Sequence, residues 1–251
     1  MSLLRSLIRP FLYTRYGVHR LTGSGAFGNG PVRYVRDPVV EKWNPLKKAL
    51  WQSHVKQIHA SSCSVASVVS CINALRRLAD ADAPAVGQTE ILERVATGHW
   101  KARMSDEGYH GRRGLPLPLL GQVVKDSITA YGLDVRRVDI VPTPKHPPSG
   151  SSVPAVLKTR LDDFDHRGDG LIIAHFDQGT VLPTLNIPHI SPVGGYDAAA
   201  GLVTLLDVDP EVIHPYQVSF DTFYKALSTD YVHLFRAFGY GSGGYVYIQI
   251  H

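Results

Sequence analysis

Cysteine is scarce: the 251 residues hold two, Cys63 and Cys71, and no C-x-x-C pair. That excludes a disulfide framework and a cysteine zinc site, and makes a reducing compartment, the cytoplasm, the expected location. The two thiols are eight residues apart. On one helix that is about 12 Å along the axis, too far for a disulfide. Long apolar runs are also missing; none approaches the ~18 residues of a membrane-spanning helix. The N-terminus lacks the unbroken apolar region and small-residue cleavage site of a secretory signal. Acidic residues are absent before Asp37, while Arg5, Arg9, Arg15, Arg20, Arg33 and Arg36 precede it. Such a flank is either merely solvated or meets an acidic partner. No DNA or RNA motif accompanies it, so nucleic acid is not an expected partner.

With 44% apolar residues the chain can bury a sizeable core, as one domain or two lobes sharing one core. We assign 1–45 to a basic N-terminal extension and 46–251 to the main domain. The extension opens with "MSLLRSLIRPFLYTRY", which sets Leu3, Leu4, Leu7, Ile8, Phe11 and Leu12 at helical spacing beside Arg5 and Arg9. This fits an interfacial helix at a membrane surface, a transit-like peptide or a docked helix, ended or kinked at Pro10.

Helical signals dominate up to residue 170. "CSVASVVSCINALRRLA" is small or apolar almost all round, the pattern of a buried helix, with Ser61 or Ser62 as its cap. "EILERVATGHW" reads as helix, "LGQVVKDSITAYG" as an amphipathic helix ending at Gly132, and "PAVLKTRLDDFDHRG" as another. Between them, "LDVRRVDIV" alternates like a strand, and "PTPKHPPSGSSVP" is a loop suited to a lobe boundary. From 171 on, "GLIIAHFD", "HISPVGGY", "LVTLLDVD" and "GYVYIQIH" are β-type runs broken by turn residues. Helices first and strands second read as α+β.

Two β-type runs flank "DAAAG" at hairpin length. A turn centred on Ala198 sets His189 opposite Asp207, with Cβ atoms about 5 Å apart. A bulge would bring in Leu206 or Val208 instead. Read alone, Asp207 is either a structural carboxylate bonded to backbone amides or the group that orients an imidazole. Cys63 starts the buried helix, and helix N-termini favour a thiolate over a thiol. A cysteine there, with His and Asp on a β-lobe, is the arrangement of a cysteine acyl-transfer enzyme. The Cys63 N–H and the Gln57 amide are candidate oxyanion donors.

These positions carry a resemblance. Gln57 and Cys63 in a Q-x5-C element, Ala66–Ser67, "NAL" at 73–75, "HISPVGGY" and "LLDVDP" resemble the catalytic domain of phytochelatin synthases, in the papain-like cysteine peptidase superfamily. The likeness is carried by roughly 55–80 and 170–220. It implies a papain-like α+β fold, with an N-terminal helical lobe bearing the nucleophile helix and a C-terminal antiparallel β lobe bearing His and Asp. It also implies Cys63 as nucleophile, His189 as base, Asp207 as its orienter and Gln57 as oxyanion donor. The implied substrate is glutathione or a related thiol peptide, cleaved at its Cys–Gly bond through a γ-glutamylcysteinyl thioester. No tightly bound cofactor or protein metal site is implied; cadmium or zinc would enter as a thiolate complex of the substrate. The chain departs from the family at Ser64, where Gly is common, at Pro210, where Arg is usual, and in "HPYQV", which replaces a Y-P-P-x-W region. It has no cysteine-rich stretch.

Other readings remain at this stage. A papain-like peptidase or acyltransferase can use another small conjugate, and a non-catalytic, membrane-associated binding protein can keep the fold. His59 is a rival base. His175 is either a structural strand histidine or a pocket residue. Arg112–Arg113 either meets an acidic substrate or is simply exposed. Cys71 and Tyr196 are expected in the core.

Overall fold

The computed structural model describes residues 10, 14, 32–145, 150–182, 184, 187–229 and 241–250. The six apolar residues of the N-terminal stripe lie outside the described residues, as does the loop at 23–31. The first element is β1, Arg33–Tyr34, within the stretch assigned to the extension. Asn44 caps α1 (Pro45–Ser53), its Oδ1 accepting from the Lys47 N–H at 2.8 Å. Pro45 opens that helix, where a missing N–H costs nothing. Next comes α2, Cys63–Ala79, buried on nearly every face as its composition requires.

The helix expected across "EILERVATGHW" is broken. It divides into α3 (Gln88–Arg94), which ends where Val95 turns extended (φ −115°, ψ 98°), a 3-10 turn (Thr97–His99) and α4 (Trp100–Met104), the last two set apart by left-handed φ at Gly98 (61°) and His99 (56°). Helix α5 spans Leu117–Ala130, with Gly132 at φ 62° just beyond it. Then follow β2 (Arg137–Pro142), α6 (Val153–His166), β3 (Gly170–Asp177), α7 (Gln178–Val181), β4 (Pro188–Asp197), β5 (Leu202–Leu205), β6 (Tyr216–Ser219), α8 (Phe220–Leu227) and β7 (Gly244–Gln249). No helix among the described residues is long and apolar enough to cross a membrane.

The strands form one antiparallel sheet in the order β1-β6-β5-β4-β3-β7-β2, and the class is α+β as expected. Helices pack on both faces. Alternation along β3 sends Leu171 and Ile173 to one core, with α1, α2 and α5, and Ile172, Ala174 and Phe176 to the other, with α6 and α8. Strand β2, from the helical half of the sequence, sits at the far edge, so the sheet is not the product of the C-terminal half alone.

The 188–205 hairpin departs from the expected register. Asp197 pairs with Leu202, Tyr196 with Val203 and Gly195 with Thr204. The turn therefore has four residues, and Asp197 Oδ1 closes it on the Ala200 N–H at 2.9 Å. The ladder then shifts at Gly194, and Val193 pairs with Leu205. N-terminal to that bulge, β4 pairs with β3: His189 lies opposite Phe176, not Asp207. Packing disfavours a side chain at either glycine of "GGY": a Cβ on Gly194 would meet the Leu206 Cγ at 2.6 Å, and one on Gly195 would press on the Lys47–Asp165 ion pair at 3.1–3.3 Å.

Candidate active site

Cys63 is the first residue of α2 and is partly exposed. Ser62 occupies the cap position but does not cap. Its hydroxyl donates to the His59 carbonyl at 2.9 Å and accepts from the His59 N–H at 3.0 Å. The first turn of α2 is therefore left without a side-chain cap, and free N–H groups at a helix start are the kind of donors a developing anion can use. Ser67, one turn on, ties the helix to the sheet: its hydroxyl lies 2.7 Å from the Cys63 carbonyl and 2.9 Å from the Ile190 carbonyl. Ile190 follows His189, so one buried hydroxyl fixes the Cys63 turn against the strand that carries the imidazole. Ser64 turns away into the core, where its Oγ accepts from the Trp100 indole N–H at 3.0 Å.

His189 is 4% exposed, and the edge of its ring is packed against Phe176 at a centroid distance of 5.5 Å. Its Nε2 donates to Asp207 Oδ1 at 2.7 Å. The Cys63 thiol is near enough to act on its charge, and with Nε2 committed to Asp207, Nδ1 is the ring nitrogen that remains. Burial acts to lower the pKa of His189, but the Asp207 carboxylate and the Cys63 contacts outweigh it and hold the imidazole above its ordinary range.

Asp207 is fully buried, just beyond the end of β5. Burial acts to raise its pKa. His189, the Asp209 N–H (2.9 Å to Oδ1) and the Tyr216 hydroxyl (2.9 Å to Oδ2) together lower it. The backbone here stays beside β4, with the Leu206 N–H on the Pro192 carbonyl at 3.0 Å and the Val208 N–H on the Ser191 hydroxyl at 3.3 Å, and it is also held by the segment before Cys63. Gln57 N–H donates to the Val208 carbonyl at 2.8 Å, and Lys56 Nζ donates to the carbonyls of Asp207 and Val212, each at 2.6 Å. The β4 contacts on either side of Asp207 and this crossing together place it at His189.

Gln57 is half-buried, with its Oε1 enclosed and unpartnered. His54, also beside Asp207, is pushed down to about 4 by burial and by the Lys56 charge, and is neutral at pH 7. Nothing in the sequence singled out His54, Lys56 or Tyr216. The one signal for Tyr216 is the alternation of "YQVS", which buries Tyr216 and Val218 on the same face.

The remaining candidates fall elsewhere. His59 is exposed. His175 is fully buried, its Nε2 3.1 Å from the Leu115 carbonyl, and burial lowers it to about 4, which suits a structural role. Cys71 lies in the core at 1% exposure, and burial raises its pKa. Tyr196 is in the core. Arg112 is exposed and Arg113 pairs with Asp106. Among the described residues no group of three or more His, Cys, Asp or Glu side chains could hold a metal ion.

A thiol at an uncapped helix start, near an imidazole that is bonded to a buried carboxylate, can form a nucleophile and pass a proton to a leaving group. A family model described as phytochelatin synthase matches residues 39–233, which is 195 of the 251 residues. No curated protein matches the chain.

Proposed function

The chain belongs to the phytochelatin synthase family, and from that premise we propose that it is a papain-like cysteine acyl-transfer enzyme acting on glutathione or a related γ-glutamyl peptide. The observation that carries this reading is the position of His189, buried and bonded to Asp207 at 2.7 Å, with the Cys63 thiol near enough to help raise its pKa.

In the proposed reaction the Cys63 sulfur attacks the carbonyl carbon of the Cys–Gly bond. The charge that develops on the carbonyl oxygen is met by the N–H groups of the α2 first turn and by the Gln57 amide. His189, charged after taking the thiol proton, returns it to the glycine nitrogen as the C–N bond breaks. Glycine leaves and a γ-glutamylcysteinyl thioester remains on Cys63. His189 then takes a proton from water, or from the amine of a second glutathione, as that group attacks the thioester. Water gives γ-glutamylcysteine; glutathione gives the extended peptide. Asp207 holds the ring in one tautomer and stabilises its charged form. Cadmium or zinc enters as a thiolate complex of the substrate.

We further propose that water is the preferred acceptor. Transfer needs a second peptide held against the thioester, and Arg suits a peptide carboxylate because it grips both oxygens. Here Pro210 stands in that place, exposed in a turn that Asp209 closes through its bond to the Glu211 N–H at 2.9 Å. Proline offers neither charge nor donor. With millimolar glutathione, mass spectrometry should find free glycine and γ-glutamylcysteine well in excess of oligomers. Long oligomers as main products would overturn the acceptor preference, and no glycine release would remove glutathione as the substrate.

Gln57 has its own test. Its backbone is pinned to Val208, so substitution should leave the fold intact. Gln57→Ala should raise the acylation barrier by about 3 kcal/mol, the usual order for one oxyanion donor. An unchanged kcat would assign that role to the α2 amides alone.

A further inference from the structure

Resting on the reading of Asp207 as the group that orients His189, we infer that Tyr216 is a positioning residue for this carboxylate and that β1 keeps Tyr216 in place. The two oxygens of Asp207 are used differently. Oδ1 accepts from His189 Nε2 and from the Asp209 N–H, whereas Oδ2 accepts from the Tyr216 hydroxyl. A carboxylate rotates about its Cβ–Cγ bond, so fixing one oxygen fixes the direction of the other. Tyr216 is fully buried, and burial with the neighbouring Asp207 charge holds its hydroxyl far above the ordinary phenol range. It therefore remains a donor throughout the working pH range.

Tyr216 is itself held from two sides. It pairs with Leu205 of β5 and with Tyr34 of β1, and the Tyr34 ring meets it edge-on at 6.5 Å. The Val35 N–H donates to the Pro215 carbonyl at 2.8 Å. Strand β1 makes β6 an interior strand, yet it precedes the span matched by the family model. A two-residue edge strand thus reaches the reaction through one ring and one hydroxyl.

The test uses the full chain with Tyr216→Phe, which keeps the ring and removes only the O–H, and with Val35→Pro, which removes the N–H bonded to the Pro215 carbonyl. Three quantities are read: glycine release, the rate of Cys63 alkylation by iodoacetamide against pH, and the titration of His189 by 15N-histidine NMR. In Tyr216→Phe the freed Oδ2 has no donor, so the carboxylate turns and slackens its hold on Nε2. We expect kcat to fall about tenfold with KM unchanged. The His189 titration should move down toward the ordinary imidazole range, and the alkaline limb of the rate profile should move with it. Val35→Pro should move both in the same direction by less. A ring that only fills space would leave the His189 titration where it is, and that result in Tyr216→Phe overturns the inference. Should Tyr216→Phe not fold, Tyr34→Ala at its exposed position carries the test, and an unchanged His189 titration there is equally decisive. Fast wild-type alkylation of Cys63 with unaltered variants sinks this inference alone. A wild-type Cys63 no more reactive than an ordinary thiol, with no glycine released, sinks the functional reading and this inference together.

Discussion

Iodoacetamide added to the folded protein near neutral pH is expected to label Cys63 at least about a hundredfold faster than Cys71, since only the thiolate reacts and burial keeps Cys71 protonated. Cys63 is partly exposed at the helix start with His189 beside it to take its proton; Cys71, two turns on, is enclosed in the core. Tryptic mapping of the labelled sites reads the ratio directly. Equal or reversed labelling would remove Cys63 as the nucleophile. Cys63→Ala should then reduce turnover by on the order of 10^5 or more, as loss of a nucleophile does elsewhere. The same variant should melt within a few degrees of the parent, because alanine suits the first turn of a helix and Cys63 contributes little buried surface.

Asp207→Asn should keep its fold and lose about a hundredfold in acylation rate, toward the low end of general acid–base effects. Its hydrogen bonds explain why the loss stops there. The Asp209 N–H and His189 Nε2 both donate to Oδ1. An asparagine placed there must keep its carbonyl on that side, because the amide would confront the Asp209 N–H. Its NH2 then faces Tyr216, whose hydroxyl can reverse from donor to acceptor. The imidazole keeps its tautomer, and what disappears is the negative charge. Where an asparagine amide instead faces the ring, the wrong tautomer results and about 10^4 is lost.

The charge has a pH signature. In the wild type the pKa of His189 is raised on folding, so its contribution to stability is fully present below the ordinary imidazole range and fades as pH rises through the raised value. Asp207 is lowered, so its contribution is present above the ordinary carboxylate range and fades as pH falls through its lowered value. The asparagine variant should lose both, and its melting temperature should fall most between those two limits. The alkaline limb of its rate profile should also move to lower pH. A wild-type rate and an unmoved profile would make Asp207 a structural carboxylate only.

The sequence by itself determined the local pieces. An all-round apolar stretch beginning at Cys63 had to be a buried helix, and the β-type runs from 171 had to be strands, because these patterns follow from burial and from the 3.6- and 2-residue periods. The Q-x5-C, "HISPVGGY" and "LLDVDP" elements carried the family. The breaks at Val95 and at Gly98–His99 were not legible, because valine occurs in helices and a single glycine is tolerated in one until packing selects another conformation. The meeting of His189 with Asp207 was anticipated for the wrong reason. Hairpin register placed them opposite each other, whereas the four-residue turn and the Gly194 bulge shift that ladder and β4 changes partner to β3. Only the tertiary structure decided how Asp207 still reaches the imidazole: Leu206 and Val208 bond to Pro192 and Ser191 of β4, while Lys56 and Gln57, about 150 positions away, hold the Asp207 and Val208 carbonyls. The contacts of Tyr216, Ser67 and β1 were not legible for the same reason. A hydrogen bond between distant segments leaves no periodic trace in either one, since periodicity records which face of an element is buried and not which partner buries it.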